Sequence, residues 1–168
     1  METKQKHAVV HGLSLPISLK TSIEICNLLR HKETKKAKAI LERVIKKQQA
    51  VPFNVFRKSS SHQPGKMAEG RYPVKASKEF LQMVKSAEAN AMHMGMPSNL
   101  VITEIKANKG PLQFHAGRQR RIRHKRTHVT IKVAEHIPAK VESKESNKNK
   151  QQKKNVDAGV NKNSQGVL

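Results

Sequence analysis

The residues best suited to chemistry lie between Lys106 and Ala134, a stretch that contains no Asp or Glu. It holds Lys106, Lys109, Arg118, Arg120, Arg121, Arg123, Lys125, Arg126 and Lys132, together with His115, His124 and His128. From Arg118 to Lys132, seven of fifteen residues are Arg or Lys, a density beyond what a merely solvated loop needs. Arginine predominates, and its planar fork grips phosphate with two hydrogen bonds and stacks on bases, whereas lysine acts mainly as a point charge. Such residues in such a pattern recognise a polyanion. They do not break bonds.

Catalytic readings find no support elsewhere in the chain. Nine histidines invite a metal, yet no Cys-x-x-Cys or His-Glu-x-x-His spacing occurs. His7/His11 and His124/His128 are each four apart, but both pairs fall in segments that read as extended, where that spacing separates them by ~13 Å. No phosphate-cradling or dinucleotide-binding glycine pattern is present. A lone Ser or Cys without an identifiable base is not a nucleophile. No catalytic, cofactor or metal site is therefore assigned.

The bulk charge agrees with the local one. Lys and Arg total 34 against 12 Asp and Glu, a formal +22. A compact domain so charged repels itself unless a polyanion neutralises it, which makes nucleic acid the leading partner. An anionic membrane surface would need large apolar residues opposite a lysine face. Aromatics are only 3%, with no Trp, so no membrane partner is expected. The single cysteine, Cys26, excludes an intramolecular disulfide and fits a reducing compartment. No signal peptide or membrane span can be drawn, and a soluble, cytoplasmic protein is expected.

The elements that must position the basic stretch follow from periodicity. His7–Leu15 reads as a short extended lead-in. A helix starts after Ser18, placed as its N-cap, with Leu19, Ile23, Cys26 and Leu29 along one face. A second helix starts at Thr34, placed as its cap, with Ala37, Ile40, Leu41, Val44 and Ile45 as its stripe. Residues 51–73 carry Pro52, a serine run, Pro64, Gly65 and Gly70 and read as a loop with basic character from Lys58, His62, Lys66 and Arg71. A third helix spans about Val74–Met94, with Phe80, Leu81, Val84, Ala87 and Ala91 inward and Gly95 at its C-terminal end. Met92, Met94 and Met96 are assigned to the core or its edge. The period then changes from 3.6 to 2, predicting strands around Leu100–Ile105 and Val129–Val133 that frame a long hairpin. The resulting class is α+β: three helices packed on a small antiparallel sheet, with a long protruding basic β-hairpin over residues 100–135. The domain runs over residues 1–137. Residues 138–168 form a basic tail too poor in apolar residues to offset its ordering entropy.

Four segments resemble a known family, the universal large-subunit ribosomal protein twenty-two in its archaeal and eukaryotic form, called seventeen in the eukaryotic naming. They are Ile17-Ser18-Leu19-Lys20, then Val51-Pro52-Phe53, then Gly70-Arg71-Tyr72-Pro73-Val74-Lys75 with Ser86-Ala87-Glu88-Ala89-Asn90-Ala91. The last is the frame Asn108-Lys109-Gly110-Pro111, Gly117-Arg118 and Arg126-Thr127-His128-Val129. Together they cover roughly residues 15 to 135. The resemblance implies a non-enzymatic constituent of the large subunit, whose hairpin threads through ribosomal RNA towards the peptide exit tunnel. Its partners would be large-subunit rRNA, neighbouring large-subunit proteins and, near the hairpin tip, the nascent chain. By position it implies rRNA contacts from Lys109, His115, Arg118, Arg120, Arg121, Arg123, Lys125, Arg126 and His128 in the hairpin. Arg71, Tyr72 and Lys75 would contribute from the globular part. The span between Gly110-Pro111 and Thr127-His128 is several residues shorter than the family leads one to expect, and the loop 54–69 is poorer in arginine. The alternative reading is a free-standing nucleic-acid-binding module.

Overall fold

Alternation makes Thr127–Glu135 a strand that buries Thr127, Val129, Ile131 and Val133, with Ala134 buried as well, and it is the centre of the sheet (β7). A computed structural model describes residues 6–65, 67–119 and 121–135 of the chain. Strand β7 lies between β1 (His7–Leu15) and β4 (Leu100–Lys109), antiparallel to both, and β2 (Val51–Pro52) pairs separately with β3 (Gly70–Arg71) across the segment expected to be a loop. Val129, Ile131 and Val133 point inward, and Ile131 sits between Val10 on one side and Ile105 on the other. The lead-in expected only to be extended is thus a full edge strand. Its pairing joins residues more than a hundred positions apart, which a local pattern does not reveal.

Strand β4 carries a bulge between Ile102 and Glu104. The extra residue lets Ile102 and Ile105 both face the core, although their spacing of three would otherwise put them on opposite faces. It also sets Glu104 opposite Lys132.

The helices cover the sheet: α1 (Leu19–Leu29) packs on β4, α3 (Val74–His93) on β1 and β7, and α2 (Thr34–Ile45) on α3. Helix α1 buries Ser22, Ile25, Cys26 and Leu29, while Leu19 and Ile23 are only half-buried. The face is rotated from the expected one because two polar residues are buried and satisfied. Ser22 donates its hydroxyl to the Ser18 carbonyl at 2.9 Å, and Glu24 serves the loop described below. Ser18 does occupy the cap position, but its side chain makes no capping bond. In α2 the core stripe is Ala37, Leu41 and Val44, with Ile40 and Ile45 at its margin.

The expected cap of α2, Thr34, is instead its first helical residue, and Glu33 takes the cap position without a side-chain bond. The connector between α1 and α2 is drawn out along β4. His31 donates its N–H to the Ile102 carbonyl and Ile102 donates back to Lys32, both at 3.0 Å. Covering that sheet edge holds Glu33 extended and moves the helix start.

Helix α3 is inward at Phe80, Met83, Val84, Ala87 and Ala91, with Leu81 half-buried. It ends on Gly95 at φ +71°, where Gly95 N–H reaches Met92 O at 2.9 Å and Met96 N–H reaches Ala91 O at 3.0 Å. These two bonds satisfy the last carbonyls, and they turn Met96 into the core. Met92 and Met94 are exposed, so only Met96 of the three methionines is a core residue. No described helix is long and apolar enough to cross a membrane. The expected tail from Pro138 onward lies outside the described residues.

Candidate nucleic-acid interface

The hairpin of β4 and β7 narrows at Gly110. Its N–H bonds the Arg126 carbonyl at 2.9 Å, and a Cβ there would stand 2.9 Å from the Arg126 carbonyl carbon. Only glycine fits so close an approach. Past this point the chain forms an arm from β5 (Gln113–Phe114) and β6 (Arg123–His124), extended by a His115 N–H bond to Ile122 O at 2.9 Å. A 3-10 turn, Gly117–Gln119, caps the arm, opened by Gly117 at φ +74°.

Two of the expected contact residues brace the arm's root. Arg126 donates to the Ser14 carbonyl and to Gln113 Oε1, each at 3.1 Å. His128 Nδ1 accepts the Ser14 N–H at 3.1 Å. Ser14 sits at φ +53°, a conformation disfavoured for a serine and held here from both sides. On the arm itself the Arg123 guanidinium lies over the Phe114 ring at 5.1 Å, and the His115 and His124 rings stack at 3.6 Å. Partial withdrawal from water, then the charges of His115 and Arg126, hold the His124 imidazole below its ordinary value. Arg118, Arg121, Lys125 and Lys109 are exposed and make no side-chain hydrogen bond or ion pair with other described residues. Arg120 lies outside the described residues.

The basic stretch is not uniformly free. Lys106 and Lys132 both pair with Glu104, which stands just outside the acid-free run; the Lys132 contact is 2.6 Å. Hydrogen bonding from Lys106, then from Lys132, pulls the Glu104 carboxyl down to about 2.

On the globular side, the expected contacts Arg71 and Tyr72 are engaged inside the loop that precedes them. Arg71 donates to Ser60 Oγ at 2.8 Å and to the carbonyls of Ser59 at 2.8 Å and Lys58 at 3.1 Å, and its guanidinium covers the Phe53 ring. Tyr72 donates its hydroxyl to Gln63 Oε1 at 3.1 Å. Lys75, one residue into α3, is exposed. The same loop is anchored to α1 by a residue that hydrophobic counting passes over. Glu24 is 1% exposed, and its carboxylate accepts the N–H groups of Asn54 at 3.2 Å and of Val55 and Phe56 at 2.8 Å each. A buried carboxylate is tolerated when it is satisfied this way. The sequence signal was available: an acid between Ile23 and Ile25 on a helix otherwise packed against apolar neighbours.

Three clefts meet where these parts come together. One of about 720 Å³ is lined by Lys20, Arg57, Lys58 and Arg71. Another of about 470 Å³ is lined by Lys20, Lys109, Arg123 and Arg126. The third, of about 330 Å³, reaches Lys75. Ser18 and Lys125 line all three, and no acidic residue lines any. The start of α1, with no side-chain cap and no acid in its first turn, therefore opens onto the junction. Unpaired N–H groups at a helix start favour an anion. Six expected residues, Arg71, Lys75, Lys109, Arg123, Lys125 and Arg126, converge on this junction. His115, Arg118, Arg121, Tyr72 and His128 stand apart from it. Lys20 and Arg57 were not foreseen; each becomes visible only when the loop and the helix start are brought side by side.

Comparison with known proteins adds an independent line. A family model described as ribosomal protein L22p/L17e matches residues 10–134. The chain is similar to a protein of Archaeoglobus fulgidus, with 39% identity over 112 residues that cover 65% of this chain and 72% of the relative. A Thermoplasma acidophilum protein is 43% identical over 111 residues, 66% and 73% of the two chains. A Nanoarchaeum equitans protein is 37% identical over 136 residues, 76% and 78% of the two. All three relatives carry the name large ribosomal subunit protein uL22.

Proposed function

The chain belongs to the ribosomal protein L22p/L17e family, and from that premise we propose that it is a structural constituent of the large ribosomal subunit that binds large-subunit rRNA. Members of this family are structural components, not enzymes, and the role proposed is one of binding. The observation that carries it is the acid-free junction where three clefts share Ser18 and Lys125. Phosphates seated there meet lysines and arginines from the loop, from α1 and from the hairpin root. One stretch of RNA would thus tie together three segments distant in sequence.

Folded RNA is recognised largely by shape and phosphate, and a basic junction continued by a basic arm suits that mode. Each neutralised phosphate releases counterions, so affinity should fall steeply with salt. The arm beyond Gly110 then reaches away from the globular part, toward the nascent-peptide exit tunnel, with the nascent chain near its tip. The globular surface faces neighbouring large-subunit proteins. Holding rRNA at the junction and along the arm is how the chain supports subunit assembly.

The test is sedimentation of a lysate through a sucrose gradient with detection of this chain. Stoichiometric migration with the large subunit is expected. A chain that stays at the top is a free-standing nucleic-acid-binding module, and the proposal fails.

A further inference from the structure

The β5–β6 arm carries more ring surface than phosphate binding calls for. Phe114 and Arg123 are direct cross-strand partners, so they share one face; Gln113 and His124 are partners on the other, which His115 joins by alternation. Each face bears a ring pair. On one, the Arg123 guanidinium lies 5.1 Å from the Phe114 ring centre, and Phe114 is 56% exposed. On the other, the rings of His115 and His124 lie 3.6 Å apart with 29° between their planes. Leu112 and Ile122 are also exposed beside them.

Exposed apolar and ring surface on so charged an arm calls for a partner with faces of its own. Arg121 and Lys125 flank the rings with positive charge, so that partner carries phosphate as well. A nucleotide whose base is out of its helix offers both. A paired base hides its faces inside the duplex, and an apolar peptide segment gains nothing from the flanking cations. We propose that the two ring pairs are stacking platforms for unpaired nucleobases, one on each face of the arm. This deepens the rRNA-binding reading and rests on it. An aromatic or guanidinium plane accepts any base, so the platforms select for unpaired nucleotides rather than for a sequence. The neutral form favoured at His124 suits the role, because two charged imidazoles would repel at stacking distance.

A competing account makes the rings purely internal, cross-strand pairs that hold the arm together. The two accounts differ in what happens to a strand that has phosphates but no bases. The full-length chain is titrated with a 20-nucleotide oligouridylate and with the same backbone made abasic. Binding about tenfold tighter to the base-bearing strand is expected, the range of one stacked base. Phe114→Leu, which keeps apolar bulk, and separately His124→Leu, which breaks the ring stack, should each shrink that ratio while leaving abasic binding and its salt dependence unchanged. Equal affinity of the wild-type chain for both strands would overturn the proposal, as would variants that lose both affinities in parallel. A large-subunit rRNA fragment run beside them separates the two failures. Tight, salt-sensitive binding to it without base discrimination removes only the platforms, whereas no binding to it removes the rRNA reading as well.

Discussion

Strands β4 and β7 and the arm they feed share one run of basic sequence, yet the two halves use charge in opposite ways. Below Gly110, Ile105 and Ile131 are buried together, and Lys106 and Lys132 are paired with Glu104. Above it, Leu112, Phe114 and Ile122 are exposed, no acid is present, and each paired strand is only two residues long. Short two-stranded segments are marginal alone in water. The arm therefore has little buried apolar surface of its own to order it, while the sheet has a buried core. A cluster of positive charge marks a binding surface only where no acid lies within reach, and the Glu104 bulge decides where that boundary falls.

The contrast can be broken in several ways. The largest effect should come from the arm and junction: Arg118→Ala, Arg121→Ala, Arg123→Ala and Lys125→Ala together are expected to weaken binding to a large-subunit rRNA fragment by about 100-fold at moderate salt. An electrophoretic or filter-binding titration reads this directly, and a change of less than threefold would mean the arm is not the binding element.

Next comes Glu24→Ala, which leaves three backbone donors without their buried acceptor. A loss of about 3 kcal/mol in urea-induced unfolding is expected, with Glu24→Gln retaining part of it because its amide oxygen still accepts. Gly110→Ala should follow, at about 1–2 kcal/mol, through the clash with Arg126. Its signature is local: amide exchange should rise at His115 and in β5 and β6 while Val129, Ile131 and Val133 stay protected. Uniform loss of protection would show that arm and sheet are one unit.

Titration sharpens the same division. The lowered Glu104 carboxyl contributes stability that is present above the ordinary carboxylate range and disappears as the pH falls towards about 2. NMR of that carboxyl should find it still charged at pH 3.5, and Lys106→Ala should raise its titration midpoint. His124 runs on a different window. Its ring is held neutral, so the stack is intact above the usual histidine range of about 6.5 and weakens as the pH drops through that range and below it. The smallest effect belongs to Cys26, whose thiol burial pushes up to about 12. Iodoacetamide should leave it unmodified in the native chain and label it on unfolding.

Much of this was legible from residues alone. The three helices, the change of period at Leu100 and the inward set Val129, Ile131 and Val133 follow from apolar spacing. What stayed hidden depends on groups distant in sequence. The pairing of β1 with β7, the docking of His31 and Lys32 on Ile102 and the Ser14–Arg126 brace are of this kind. The α1 face departs from its apolar spacing for a related reason: Ser22 and Glu24 are polar yet buried because their acceptor or donors come from the backbone. The charged stretch stands out in the sequence, but its division into a part paired with an acid and a part without an ion pair among the described residues rests on Glu104, two residues outside it. Half of the expected contact residues meet at the junction, and Arg71, Arg126 and His128 turn out to hold the protein's own backbone as well.

The most direct test of the account compares salt dependence in two variants. Wild-type chain, the fourfold arm variant and a Lys106→Ala, Lys132→Ala sheet variant are titrated against the same large-subunit rRNA fragment over a series of salt concentrations. The logarithm of affinity falls linearly with the logarithm of salt, by roughly 0.7–0.9 per phosphate neutralised. The arm variant should lose about 3 from that slope and the sheet variant should keep the wild-type value. Equal losses in both, or a loss confined to the sheet variant, would contradict the division of the hairpin into a self-contained sheet and an RNA-binding arm.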